Sequence, residues 1–398
     1  MIMIILSALL SGCGEVISNP SSSSDSSISS SENSIINETS TPLDTTDDFD
    51  YSSYDNIAPS EISEELKNTR RELINVSNST TVNYLFLTDT HIDSQQSLNN
   101  ETLVLKTLEY AVILANTSDI DFLCIGGDFI TGAFDIVTAV DGLHKVSEAL
   151  ADCKKPVVML IGNHDLNVNS NNLNNPGDRL SIEEVLVLTQ ENFKKDSYNY
   201  DASVSNGAYF YFDIPEKKTR AVCLDSYNSI HEKQQVLWLA DKVLTVKDEG
   251  WKYVFLMHIP IDSRYVTTDT SVVCSGSEDI MALITALNNR STATGSFGTR
   301  DFTDFKSKIV SCSFGHVHNS YMEYNNLLDT FCTATGPAGG VAFGNMVSVS
   351  PDDNFPSKRD YLTNENKDKY LFDVFSVSSD SITRIRFGGG LNKTCTAD

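Results

Sequence analysis

Short apolar runs recur along this chain from about residue 80, and each stops abruptly at polar residues able to bind metal. Val82 to Leu87 ends in Thr-Asp-Thr-His-Ile-Asp, Phe122 to Ile125 in Gly-Gly-Asp, and Pro156 to Ile161 in Gly-Asn-His-Asp. Short runs of this kind, bounded by glycine and polar residues, predict buried strands. Between them lie Leu105, Leu108 and Val112, then Ile136, Val140, Leu143, Val146 and Leu150. Their three- and four-residue spacing predicts helices with one apolar face. Strand, helix, strand, helix, strand reads as two right-handed crossovers within a parallel stretch of sheet. Ligands of open α/β sheets bind beyond the carboxyl ends of the strands, so these three loops are expected to converge.

The second half repeats the pattern. Tyr209 to Ile214 and Arg220 to Leu224 read as a β pair, and Gln235 to Leu244, with Trp238, as a helix contributing to the core. Lys252 to Met257 is a strand running into His258, and Ile309 to Phe314 runs into Gly315-His316-Val317-His318. Tyr370 to Val377 and Ile382 to Phe387 flank Ser-Ser-Asp-Ser and predict a closing hairpin. Residues 166–206 and 262–307 are polar and read as loop-rich insertions that wall a cleft.

Upstream the pattern vanishes. Of the 23 residues from Ser18 to Ser40, 12 are serine, and residues 14–60 hold nine Asp or Glu and no Lys or Arg. So little apolar surface does not offset the entropy of ordering, and residues 13–79 are expected to form a disordered tether. Met1 to Leu10 is almost wholly apolar and leads into Leu10-Ser11-Gly12-Cys13. That order resembles the lipobox of a bacterial lipoprotein signal. It implies a signal peptide over 1–12, lipidation of Cys13, and an extracytoplasmic protein anchored to the membrane at the cell surface. No run of ~18 apolar residues is present, so no helix is long and apolar enough to cross a membrane.

The charge then has to be divided. The chain carries 29 Lys+Arg against 54 Asp+Glu, a net −25, and the nine acidic residues of 14–60 leave −16 downstream. That balance argues against a surface that grips nucleic acid by its phosphates, which needs clustered Lys and Arg. It leaves room for an enzyme that meets phosphate through bound metal, because the ions bring their own charge. Cysteine contributes little: of eight, none forms a CxxC pair, and Cys124, Cys223 and Cys312 lie in apolar runs as expected of buried thiols.

Five elements carry the chemistry: Asp89-Thr90-His91, Gly127-Asp128, Gly162-Asn163-His164-Asp165, His258, and Gly315-His316-Val317-His318. They contain five of the seven histidines, each at the end of an expected strand. Imidazole with carboxylate suits divalent first-row metals, and this many ligands exceeds what one ion needs.

The ordered set DxH, GD, GNHD, H, GHxH resembles the calcineurin-like metallophosphoesterase superfamily over residues 80–390, leaving 391–398 as a short tail. The resemblance implies a mixed α/β fold, a four-layer α-β-β-α sandwich of two mixed sheets with flanking helices. It implies two divalent ions, of Mn, Fe or Zn. One would be held by Asp89, His91, Asp128 and His318, the other by Asp128, Asn163, His258 and His316. It further implies hydrolysis of a small phosphoester by a metal-bound hydroxide, with His164 protonating the leaving group. Gly127-Asp128-Phe129-Ile130-Thr131-Gly132 lacks the second carboxylate and the arginine of the Ser/Thr phosphatase pattern. It also has Thr131 where purple acid phosphatases carry tyrosine. The phosphodiesterase-type branch is therefore implied, and the group orienting His164 is left unassigned. A phosphomonoesterase or nucleotidase, and a non-catalytic metal-dependent surface binder, are the alternatives.

Other residues are read more plainly. Asp165, inside the motif, is a candidate for bracing the ligands from behind, whereas Asp93 reads as a solvated loop carboxylate. Asn167 and Arg264 are either substrate contacts or ordinary surface residues. His144 and His231 match no ligand element and read as structural. TGPAGGVAFG at 335–344 has no following GK[ST] and reads as a turn-rich loop near the site.

Overall fold

The computed structural model describes residues 47–92, 100–132, 134–168, 176–190, 198–203, 205–227, 231–262, 274–318, 320–336, 338 and 370–397. Met1–Phe49 and Asp50–Asp398 form separate units, and every element named below lies in the second. In chain order the strands are β1 (Val82–Leu87), β2 (Phe122–Ile125), β3 (Val157–Met159), β4 (Phe210–Ile214), β5 (Thr219–Cys223), β6 (Lys252–Met257) and β7 (Thr292–Gly295). They continue with β8 (Gly298–Asp301), β9 (Lys308–Phe314), β10 (Tyr321–Asn325), β11 (Thr330–Ala334), β12 (Leu371–Val377), β13 (Ser381–Gly388) and β14 (Lys393–Thr396). The helices are α1 (Ser60–Val76), α2 (Asn100–Thr117), α3 (Ile136–Leu150), α4 (Ile182–Gln190), α5 (Lys233–Trp238) and α6 (Ser277–Asn288).

Two six-stranded sheets result, in the orders β14-β13-β12-β1-β2-β3 and β10-β11-β9-β6-β5-β4. In the first, β1, β2 and β3 run parallel and β12 pairs antiparallel with β1. In the second, β5, β6, β9 and β11 run parallel, with β4 and β10 antiparallel at the edges. Both sheets are mixed, as expected.

Alternation along the strands turns one face of each sheet inward. Tyr84, Phe86, Phe122 and Cys124 of the first sheet meet Phe210, Phe212, Val254 and Leu256 of the second in one core. Tyr84 stacks on Phe122 with ring centroids 5.0 Å apart, and Phe122 meets Phe212 edge-on at 5.3 Å. On its other face the second sheet presents Tyr253, Phe255, Met257 and Phe314 to Trp238, Leu239, Ile284 and Leu287 of the α5 and α6 region. Helices α1 and α2 pack on the first sheet. Each fully buried Phe or Leu in these layers contributes ~1.5–3 kcal/mol through burial. Helix, sheet, sheet, helix is the layering the motif set implied.

Within the span expected to be a tether, residues 51–76 hold regular structure. Tyr51–Asn56 form a 3-10 turn, and α1 buries Ile62, Leu66 and Leu73 beside β12 and β13. Tyr54 is fully buried, its Oη 2.6 Å from Thr117 Oγ1 on α2. Ile62, Leu66, Thr69 and Leu73 form a helical stripe that averaging over 13–79 dilutes into the polar background. At the other end, 391–398 is not a tail: β14 adds to β13, with Cys395 opposite Ile382. The polar insertions also hold regular structure, α4 in one and α6 with the β7–β8 hairpin in the other. Their apolar residues, Val185 with Leu186 and Ile280 with Leu283, Ile284 and Leu287, are spaced to bury one helical face. The third predicted strand is shorter than the apolar run, Val157–Met159.

Candidate metal centre

The expected ligands stand where parallel strands end. Asp89 and His91 follow β1, Asp128 follows β2, Asn163 and His164 follow β3, His258 follows β6, and His316 and His318 follow β9. Three loops come from one sheet and two from the other. Asp89, His91, Asp128, His316 and His318 all have left-handed backbones, with φ of 54, 40, 55, 65 and 49°. Such conformations disfavour an L-residue by ~1–2 kcal/mol each and persist only where the surroundings enforce them. Here the loops enforce one another. Asp89 N donates to Gly127 O at 2.9 Å, His91 N to Asp128 O at 3.0 Å, and Gly315 N to His258 O at 3.0 Å. Two motif glycines are required by close approach. A Cβ on Gly162 would collide with the backbone and carboxylate of Asp128, and one on Gly315 with Thr88 and Asp89.

Two ligand groups form, sharing Asp128. Asp89, His91, Asp128 and His318 present ligand atoms all within 4.8 Å of one another, as do Asp128, His258 and His316. In the first, His318 Nε2 lies 3.2 Å from Asp89 Oδ1 and 3.2 Å from His91 Nε2, which is 3.8 Å from Asp128 Oδ2. In the second, His258 Nε2 lies 3.2 Å from Asp128 Oδ2 and 3.1 Å from Asn163 Oδ1. Ligands ~2.0–2.2 Å from a tetrahedral ion stand roughly 3.4 Å apart, so these gaps fit a cation. Both ring nitrogens of His316 are shielded from solvent and have no hydrogen-bond partner among the described residues. Such orphaned nitrogens are what a ligand awaiting its ion presents.

Backbone carbonyls choose the tautomers. His91 Nδ1 donates to Ile130 O at 3.1 Å and His258 Nδ1 to Gly126 O at 2.7 Å, so both rings turn Nε2 inward. Asp89 accepts from Thr88 Oγ1 at 2.7 Å and from His316 N at 3.0 Å. Burial holds His91 down to about 3 and His316 to about 4, leaving both neutral. Burial also works against a charged His258, but the Asp128 carboxylate outweighs it and raises that ring to about 9. Burial and Asp89 act in the same opposed way on His318, with a net rise. Asp128 stays well below the usual carboxylate range: burial opposes its charge, and the surrounding histidines, His258 first, overcome it. The proton on His258 therefore sits between the Asp128 carboxylate and the inward Nε2, where a cation would go.

Asp165 lies directly behind Asp128 and Gly162. Fully buried, it accepts from Phe129 N at 2.6 Å, Gly162 N at 2.7 Å, Asp128 N at 2.9 Å and Ile130 N at 3.3 Å. Burial and the Asp128 charge push its carboxyl up to about 8, and the amides pull the other way. His164 has a half-buried ring, edge-on to His91, with Nε2 3.9 Å from Asp128 Oδ2. Its backbone N donates to Asp128 Oδ1 at 2.9 Å. Its Nδ1 has no partner among the described residues, so the group orienting this ring stays unassigned.

Asn167 proves to be neither a substrate contact nor a surface residue. It is buried, with Nδ2 donating to Phe134 O at 2.8 Å and Asp178 O at 2.7 Å. The left-handed backbone at Asn167, φ 54°, turns its amide inward onto two loops. His231 is buried with Nδ1 3.2 Å from Asp225 O, a structural role as expected, whereas His144 lies exposed on α3. Cys124, Cys223 and Cys312 are buried and free. Cys13, Asp93 and Arg264 lie outside the described residues. Of the 335–344 loop, Ala338 N donates to Thr88 O at 2.8 Å, which places that residue beside the centre. Sequence reasoning missed Thr88 and the carbonyls of Gly126 and Ile130; only Thr88, next to Asp89, left a side chain to notice.

A buried mixed imidazole–carboxylate cluster that spans two sheets, with one shared aspartate, presents the donor set of a two-metal site. Residues 82–320 match the calcineurin-like phosphoesterase family, and the chain belongs to it. No curated protein matches the sequence. Among solved structures, a dimetal phosphatase from Danio rerio is similar at 11% identity and a TM-score of 0.49, covering 81% of this chain and 100% of that one. A purple acid phosphatase from yellow lupin (Lupinus luteus) seeds is similar at 13% identity and a TM-score of 0.49, covering 81% of this chain and 55% of that one.

Proposed function

We propose that the chain is a phosphodiesterase with a dinuclear centre, acting on a small phosphodiester at the cell surface. The observation that carries this reading is the pair of ligand groups joined through Asp128, with no Lys or Arg ion-paired to their carboxylates among the described residues. A phosphomonoester carries nearly two negative charges at neutral pH and gains from an additional guanidinium or ammonium. A diester carries one, which the ions alone can offset. When bound, the two ions supply an activated water and compensate charge on the phosphoryl oxygens.

The chain's own residues do the rest. Asp89, His91, Asp128 and His318 would hold one ion, and Asp128, Asn163, His258 and His316 the other. Asn163 adds an uncharged oxygen, which limits the negative charge facing the substrate. Asp165 keeps the Asp128 and Gly162 backbones fixed during turnover. His164, braced through its backbone but with an open ring edge, is placed to hand a proton to the departing oxygen. With the chain loaded with Mn²⁺, Fe²⁺ or Zn²⁺, a bis-aryl phosphate is expected to show higher kcat/KM than the mono-aryl phosphate. A monoester preference would instead point to a phosphomonoesterase or nucleotidase.

Localisation rests on Leu10-Ser11-Gly12-Cys13 and the serine-rich segment behind it. Expressed in a bacterial host, the full chain is expected in the membrane fraction and its Cys13→Ser variant in the soluble fraction. A variant retained with the membrane would sink the lipid anchor.

A further inference from the structure

Outside the ligands, Asp373 on β12 and Arg386 on β13 form a buried ion pair, with Arg384 Nε also 3.9 Å from Asp373 Oδ1. Asp373 and Arg386 face each other in register, and both side chains are wholly removed from solvent. Arg386 Nε donates to Asp373 Oδ1 at 2.5 Å and Nη2 to Asp373 Oδ2 at 3.2 Å. The same Nη2 donates to Ser320 Oγ at 2.7 Å, and Ser320 Oγ also accepts from Gly336 N at 3.2 Å. Thr335 Oγ1 donates to Asp373 Oδ2 at 2.6 Å. Ser320 lies two residues beyond His318, and Thr335 follows β11 directly.

One ion pair of the first sheet thus grips two loops of the second. The 315–320 loop is held at its other end by Asp89, whose carboxylate accepts the His316 amide at 3.0 Å. The 335–338 loop is held again by Ala338 N on Thr88 O at 2.8 Å. A buried ion pair adds little net stability over a well-packed apolar pair, so stability alone is a poor reason for its presence. Orientation is a better one, because groups behind metal ligands commonly set affinity through geometry.

We propose that the Arg386–Asp373 pair, acting through Ser320, positions the loop bearing His316 and His318 and so sets how tightly the centre holds its ions. Arg386, Asp373 and Ser320 are positioning residues; none is a ligand. The inference rests on the dinuclear reading above.

The test uses the full chain and Mn²⁺ alone, with stoichiometry and affinity measured calorimetrically and apo Tm recorded alongside. Ser320→Ala removes the shared acceptor without stranding a buried charge. It is expected to weaken Mn²⁺ binding about tenfold while apo Tm stays within about 3 °C of the parent. Ser320→Thr, which keeps the hydroxyl, is expected to bind as the parent does. A parent that binds two ions with a Ser320→Ala variant of equal affinity would overturn the inference alone. So would a variant whose apo Tm falls further, since general loosening then explains the loss. A parent that takes up fewer than two ions would overturn the dinuclear reading and this inference with it.

Discussion

Replacing His164 by asparagine is expected to leave two metal ions bound and to lower turnover ~10²–10⁴-fold, the range of a lost general acid. Metal retention follows from which atoms hold Asp128. The His164 contribution to the ligand set is its backbone N on Asp128 Oδ1, and asparagine keeps that donor. Asp165 and its four amide donors are untouched by the change. What disappears is the imidazole, half-exposed at the solvent side of the cluster with Nε2 3.9 Å from Asp128 Oδ2. The loss should depend on the leaving group. An ester of a simple alcohol needs the proton most and should show the larger effect. An ester of p-nitrophenol, which departs readily as an anion, should show the smaller one. Elemental analysis showing that His164→Asn has lost metal would remove the acid role, as would an equal loss on both esters.

The second large effect is on metal uptake. Affinity is expected to fall about tenfold per pH unit for each proton displaced as pH drops below about 9, the value at which His258 titrates in the ion-free protein. Between pH 9 and pH 6 that amounts to ~10³-fold from His258 alone. His318, also raised, steepens the dependence. His91 and His316, held at about 3 and about 4, are already neutral and contribute nothing in this range. The sign for stability is opposite. His258 is raised above its unfolded value, so it stabilises the ion-free fold below about 6.5, and that contribution is lost as pH rises through about 9. Metal should therefore raise Tm more at pH 9 than at pH 6. Calorimetry in buffers of different ionisation enthalpy should show at least one proton released per chain at pH 7. Affinity that does not change from pH 6 to pH 9 would rule this account out.

Much of this was legible in the residues. Strand ends at Leu87, Ile125, Met257 and Phe314 fall where apolar runs meet Asp and His, because a buried strand must stop where the chain meets polar chemistry. The hidden parts have a common cause. α1 escaped notice because its stripe of Ile62, Leu66, Thr69 and Leu73 is outnumbered by Ser, Glu, Lys and Arg, so composition reads as tether while periodicity reads as helix. β14 is too short and too polar to signal a strand until β13 offers it an edge. Asn167 has the composition of a loop, and only its left-handed backbone aims the amide inward.

By itself the sequence determined which atoms are available to bind metal, their order, and their place at strand ends, since hydrophobic period and side-chain chemistry are local properties. Only the tertiary structure decided which carbonyls aim His91 and His258, and it alone shows the ligand atoms of the two expected groups gathered around Asp128. It alone joined Arg386 to a loop 66 residues away in sequence. Those relations depend on which strand lies beside which and in what register, and distance through space between two sheets leaves no trace in the order of residues along the chain.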